Sequence, residues 1–177
     1  ELDDFIFASQ SVQAEAMKYF VEMWRGGKPE RSGIIWWNIR DGWPILSDAV
    51  VDYYNSKKLA YFFIQNVQHN ACVFINDPRD NMHPLVAVND TRQPAEGSVE
   101  VIDVASGDRI YKGNFSIEAN GRTLIDTLPE RDGQGILLIK YTIDGKEYAN
   151  HYLYGKPPFK LNEYKELLRG TNIYSLK

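Results

Sequence analysis

The sequence predicts a mixed fold, an α/β portion followed by an all-β sandwich of immunoglobulin-like type. Three observations carry that reading. Gly33-Ile34-Ile35-Trp36-Trp37 is a short, almost wholly apolar run between two helical patterns, which reads as a buried parallel strand. Beyond His69 the pattern changes to seven short β-type runs in about 85 residues, with turn residues between them. Among those turns, Asp144-Gly145 joins two alternating runs (Leu137, Ile139, Tyr141 and Ile143 precede it), a strong hairpin signal.

Taken in order, the chain opens with a helix predicted over 3–25. Val12, Ala16, Tyr19, Phe20, Met23 and Trp24 recur at helical spacing and make one apolar stripe. Ser9 or Ser11 is the candidate cap, and Gly26-Gly27 ends the helix where a left-handed residue is wanted. A polar connection, Lys28 to Arg31, leads into the strand at 33–37. That strand gives way to Asn38, Arg40, Asp41, Gly42, Trp43 and Pro44, then to a mildly apolar irregular stretch over 45–54. A second helix is expected over 56–68, with Leu59, Phe62, Phe63 and Val67 on one face. Strands are expected at 71–76, 85–88, 98–104, 108–115, 122–128, 135–143 and 146–154. Gly155 to Phe159 reads as a stiff linker, followed by a short helix over 161–169 and a loose end. The expected organisation is therefore 1–68, 69–155 and 156–177.

Composition excludes several function classes. Hydrophobic content of 44% with 25% charged residues is that of an ordinary globular chain. A net charge of −4 leaves no basic patch for nucleic acid, and no apolar run approaches the ~20 residues that span a bilayer. The aromatic share of 13% suits a carbohydrate-handling surface and a sandwich core equally well. The chain begins at Glu1 without Met or a signal-like core, so it reads as part of something longer. The single cysteine, Cys72, rules out an internal disulfide and assigns no compartment. A periplasmic or secreted parent is compatible with it.

Little of the chain carries recognisable chemistry. His69, His83 and His151 lack metal-ligand spacing, and nothing implies a metal or cofactor. Gly133-Gln134-Gly135 precedes a strand and has no phosphate-loop lysine. Two glycosylation sequons, at Asn89 and Asn114, match no better than chance. The Trp37–Trp43 cluster remains. At the carboxyl end of a parallel strand, where function gathers in helix-flanked sheets, an indole offers a flat apolar plate for a sugar ring. Asn38 and Asp41 beside it can hydrogen-bond hydroxyls. The same residues also read as packing groups, with Trp36 and Trp43 filling space, Asp41 capping a turn and Arg40 paired with a carboxylate.

These residues resemble a family. Gly33–Trp37 with Asp41-Gly42-Trp43-Pro44, then Ser47, Val51-Asp52-Tyr53-Tyr54 and Lys57-Lys58-Leu59-Ala60-Tyr61, is similar to the last barrel strand region of glycoside hydrolase family 2. The β-mannosidase-like branch is the nearest in pattern. Ser9-Gln10, Val12 to Ala16 and Trp24-Arg25 resemble the preceding helix, and His151 to Pro158 resembles the close of the first post-barrel sandwich. The resemblance implies that 1–68 is the last helix–strand–helix of a (β/α)₈ barrel, and that a retaining mechanism uses two glutamates. Both glutamates would precede this chain, and Glu1 matches neither. Trp37 would then be the platform beside the reacting sugar, with Asn38, Asp41 and Trp43 shaping the substrate-binding wall.

Two departures stand out: Asn38 where the branch usually has Gln, and Arg40 where it usually has Asn. They leave galactosidase-like and glucuronidase-like parents open. The expected function is a non-catalytic portion of a retaining exo-glycosidase acting on β-linked sugars. The expected partners are carbohydrate, the remainder of the parent chain, and a second copy through self-association. A free-standing carbohydrate-binding module with the sandwich tyrosines as platform, or a structural interaction domain, are the alternatives.

Overall fold

The computed structural model describes residues 1–175. The chain divides into two compact units, residues 1–69 and the part from Asn70 onward. No helix among the described residues is long and apolar enough to cross a membrane.

The first unit is built on two helices, α1 (Leu2–Arg25) and α2 (Leu59–Val67). Neither expected serine caps α1. Ser11 sits inside it and donates its hydroxyl to the Phe7 carbonyl one turn back, at 2.7 Å. The far end closes without a left-handed residue: Gly26 stays helical at φ −64°, and its N–H bonds to Glu22 O at 2.8 Å. Side chains of α1 cap both ends of α2. Gln10 Oε1 accepts the Leu59 N–H at 3.0 Å, and Arg25 donates to the carbonyls of Val67 and His69. A cation at exposed C-terminal carbonyls satisfies groups that no intrahelical donor reaches. With Gln10 at one end and Arg25 at the other, the two helices run side by side in the same direction.

The burial of α1 inverts the pattern of its sequence. Its buried face is Ser11, Ala14, Lys18, Val21 and Glu22, whereas Val12 is 72% exposed and Tyr19 and Phe20 also face outward. On α2 the buried face is Leu59, Ala60, Phe63, Ile64 and Val67, and Phe62 points out.

The expected strand at 33–37 does not form. These residues have no regular structure, and Ile35 is 96% exposed. A strand exists only by hydrogen-bonding to neighbours, and every strand among the described residues lies beyond Asn70. A single parallel bridge between Arg40 and Val51 is present in that region.

The second unit is a sandwich of two antiparallel sheets. Its strands are β1 (Ala71–Ile75), β2 (Met82–Asn89), β3 (Ala95–Asp103), β4 (Arg109–Ile117), β5 (Arg122–Pro129), β6 (Gly135–Ile143) and β7 (Lys146–Tyr154). Three strands pair in the order β1-β2-β5 and four in the order β4-β3-β6-β7. Asp144 and Gly145 both take positive φ, 49° and 77°, as the tight hairpin turn between β6 and β7 requires. β2 begins earlier than its sequence suggests because it runs through Pro84. The Pro84 carbonyl accepts from Asn76 N, so its hydrogen-less nitrogen faces the side where β1 has ended.

Alternate residues of both sheets fill the core, among them Val73, Ile75, Leu85, Val99, Val101, Leu137, Ile139 and Tyr141. Burying one such side chain is worth about 1.5–3 kcal/mol. Asn150 on β7 donates to the Val73 carbonyl at 3.0 Å and ties the sheets together at that edge. A third helix, α3 (Leu161–Gly170), packs on β6 and buries Tyr164 and Leu168. Residues 176 and 177, the end of the expected 156–177 tail, lie outside the described residues.

Candidate functional site

The loop between α1 and α2 carries the four residues singled out by sequence. It is knitted together by backbone bonds: Val50 N to Asn38 O (3.2 Å), Val51 N to Ile39 O (2.9 Å), Asp41 N to Val51 O (3.1 Å) and Lys58 N to Val50 O (2.9 Å). Beneath them Ala49 and Val50 are buried. The indoles are not buried: Trp37 is 77% exposed and Trp43 64%, and neither makes a ring contact among the described residues. Asn38 is half-buried, and its Oδ1 is shielded from solvent without a hydrogen-bond partner. The Trp37–Asn38 peptide bond is cis.

Asp41 behaves differently from its neighbours. Its carboxylate is buried, with Oδ1 accepting the Ser47 hydroxyl and Oδ2 lying 3.6 Å from Lys58 Nζ. Oδ2 has no hydrogen bond in the strict sense, so the lysine charge is what compensates it. Lys58 also donates to the Ser47 carbonyl at 3.0 Å, and Ser47 Oγ accepts the Ala49 N–H at 3.0 Å. Arg40 is exposed, pairs with no carboxylate among the described residues, and donates to the Tyr53 carbonyl at 3.2 Å.

The structure thus brings Asn38 and Asp41 into one knitted loop and leaves Trp37 and Trp43 as two outward plates. Sequence reading gave no role to Ser47 or Lys58. The available signal was chemical: a buried aspartate needs a cation, and the nearby ones are Arg40, Lys57 and Lys58. Lys57 is committed elsewhere, over the Tyr61 ring at 4.4 Å.

No group of three or more metal-binding side chains exists among the described residues. The sandwich tyrosines do not make an exposed platform: Tyr141 and Tyr154 are buried, and Tyr111, Tyr148 and Tyr152 pack against the core. Asn89, of the first sequon, is fully buried and spends its amide on the Gln93 and Glu118 carbonyls.

No family model matches the chain. Individual proteins do. β-Mannosidase B of Aspergillus niger is 30% identical over 84% of this chain, and β-mannosidase B of Neosartorya fischeri is 27% identical over 98% of it. This chain is a homologue of the β-mannosidases. It spans about a fifth of their length, 19% and 23% of those two relatives.

Among solved structures, the β-D-mannosidase of Dictyoglomus thermophilum superposes with a TM-score of 0.75 at 25% identity. The match covers 87% of this chain and 20% of that one. The exo-chitosanase of Amycolatopsis orientalis shares the fold, with a TM-score of 0.69 at 21% identity over 89% of this chain and 20% of its own. The glycosidase resemblance read from residues 9–25, 33–61 and 151–158 therefore holds over most of the chain.

Proposed function

We propose that this chain is the part of an exo-acting β-glycosidase that supplies one wall of the sugar pocket and a supporting sandwich. The catalytic carboxylates would lie elsewhere in the same polypeptide. The observation that carries the reading is the loop between α1 and α2. It presents Trp37 and Trp43 outward as apolar plates while Asp41 is consumed in holding the loop. In this role Trp37 stacks on a sugar ring, Trp43 and Asn38 line the wall, and Asp41 positions them.

Two parallel helices flanking an extended segment are what a (β/α)₈ barrel would contribute at its last unit. The outward apolar stripe of α1 and the unpaired run at 33–37 then become surfaces that the rest of the barrel covers. The domain division that follows is barrel end over 1–68, sandwich over 69–155, and linker with short helix over 156–177.

The reading is tested with nitrophenyl β-glycosides. The chain alone is expected to be silent, and the same chain extended upstream, or mixed with an upstream fragment, is expected to turn over the β-mannoside. Trp37→Ala in the extended protein should then raise KM. Turnover by the chain alone, or an extended protein indifferent to Trp37, would refute it.

A further inference from the structure

The exposed part of the loop has a closed neck. Gly42, Trp43, Pro44, Ile45 and Leu46 are all exposed, and Leu46 is 99% so. The residues at either end of this five-residue projection, Asp41 and Ser47, are hydrogen-bonded to one another. A short loop whose ends meet is a compact surface unit, held where it joins the rest of the protein. Its direction is therefore set at the neck, not by contacts of its tip.

Among the described residues, one side chain reaches both halves of that neck. Lys58 arrives from the start of α2, donates to the Ser47 carbonyl at 3.0 Å and faces Asp41 Oδ2 at 3.6 Å. Its own backbone is fixed, because Lys58 N bonds to Val50 O and the next N–H, that of Leu59, bonds to Gln10 of α1. The ammonium thus ties the exposed projection to the start of α2. Asp41 and Lys58 are 3% and 16% exposed at their side chains, so solvent screens the pair little.

We propose that Lys58, acting through Asp41 and Ser47, is the positioning residue that fixes where the Trp43 plate points. Its mechanical part stands on these contacts alone. Its consequence for substrate rests on the sugar-pocket reading given above. A charge is needed in this place because the neck has two acceptors to hold, a carboxylate and a carbonyl, and an ammonium carries three donors. A neutral side chain of the same length fills the space and holds neither.

Fluorotryptophan labelling tests it on the chain as it is. The sequence has four tryptophans, Trp24, Trp36, Trp37 and Trp43, so each fluorine resonance is assignable by a Trp→Phe variant. Lys58→Met is expected to shift and broaden the Trp43 resonance and leave Trp24 on α1 unmoved. Lys58→Arg is expected to restore it. If Lys58→Met fails to fold because Asp41 is left buried and uncompensated, the double variant Asp41→Asn/Lys58→Met is read instead. It removes that charge and is still expected to free Trp43. A Trp43 resonance unmoved in whichever variant folds overturns the proposal, as does a disturbance that Lys58→Arg fails to reverse.

In an active extended protein, Lys58→Met should raise KM, and combining it with Trp43→Phe should add little further. These outcomes separate the two proposals. Trp43 obeying Lys58 in a protein that never cleaves a glycoside sinks the glycosidase reading alone. Turnover with Trp43 indifferent to Lys58 sinks the latch alone.

Discussion

Tyr154 at the end of β7 donates its hydroxyl to the buried carboxylate of Asp103 at the end of β3, 2.9 Å away. The same carboxylate accepts the backbone N–H groups of Ala105 and Ser106 at 2.9 and 3.1 Å, and Arg131 lies 3.1 Å from it. Burial by itself would raise the Asp103 pKa. The donors from Ser106, Tyr154 and Ala105, with the Arg131 charge, outweigh burial and hold it below the usual carboxylate value.

A carboxylate whose folded pKa is lowered stabilises the fold above its unfolded pKa, and that contribution is lost as pH falls through the folded value. The sandwich should therefore weaken as pH drops below about 4. Asp103→Asn is expected to cost about 1–3 kcal/mol at neutral pH and to flatten that acid limb. Thermal melts of both proteins from neutral to strongly acidic pH read the difference, and parallel acid limbs would contradict it.

His83 titrates in a higher window with the same sign. It is buried on β2, edge-on to the Tyr152 ring with 5.3 Å between centroids, and its Nδ1 is 3.3 Å from the Tyr152 hydroxyl. Burial lowers its pKa, and the opposing pull of the Glu130 charge is smaller. The neutral imidazole is thus the folded form. Its contribution is complete above about pH 6.5 and is lost as pH falls through the lowered folded value. His83→Phe should remove that step from the stability profile. An imidazole proton titration by NMR that ends at or above the free-histidine value would overturn the assignment.

Lys18 and Glu22 form an ion pair at 2.8 Å on the inward face of α1, their side chains 4% and 3% exposed. Removing one partner leaves a buried charge, so Lys18→Met or Glu22→Gln should destabilise the first unit by about 3–5 kcal/mol. The double change Lys18→Met/Glu22→Leu should recover most of that loss. Urea unfolding followed by fluorescence of Trp24, near the end of α1 and one turn from the Phe20 ring, checks both.

The outward stripe of α1 predicts association of the isolated chain. Val12→Glu together with Phe20→Glu changes two exposed side chains and should leave far-UV dichroism intact while lowering the weight-average mass at high concentration. Sedimentation velocity across a hundredfold range of concentration reads it. A wild-type chain that stays monomeric throughout would end this line.

The sandwich was legible from sequence because its signal is local. Alternation along β6 and the Asp144-Gly145 turn specify pairing between neighbours that the chain itself contains. In the first unit the two helices were legible too, but the strand and the buried face were not, and for a single reason. Periodicity reports that Val12, Phe20 and Trp24 share a face, but not whether anything within these residues covers it. Gly33–Trp37 has the composition of a central strand and, among the described residues of its unit, no strand to pair with. Lys18 and Glu22 are buried, because the polar face of α1 is the one turned toward its own unit.

At the candidate site the platform residues announced themselves by type. Their support did not, since Lys58 lies 17 positions beyond Asp41 and meets it only through folding.

The orientation of α1 bears on how long such a polypeptide lasts in a cell. A free chain that displays Leu2, Phe5, Val12 and Phe20 offers a surface of the kind that holdase chaperones and proteases survey. Among the described residues of the second unit, only Leu124 is a large apolar side chain left exposed. Survival of such a free chain would then depend on how soon the first unit finds cover, more than on the melting temperature of the sandwich. Abundance would follow the supply of whatever covers α1, making the helix a gauge of assembly as much as a part of it.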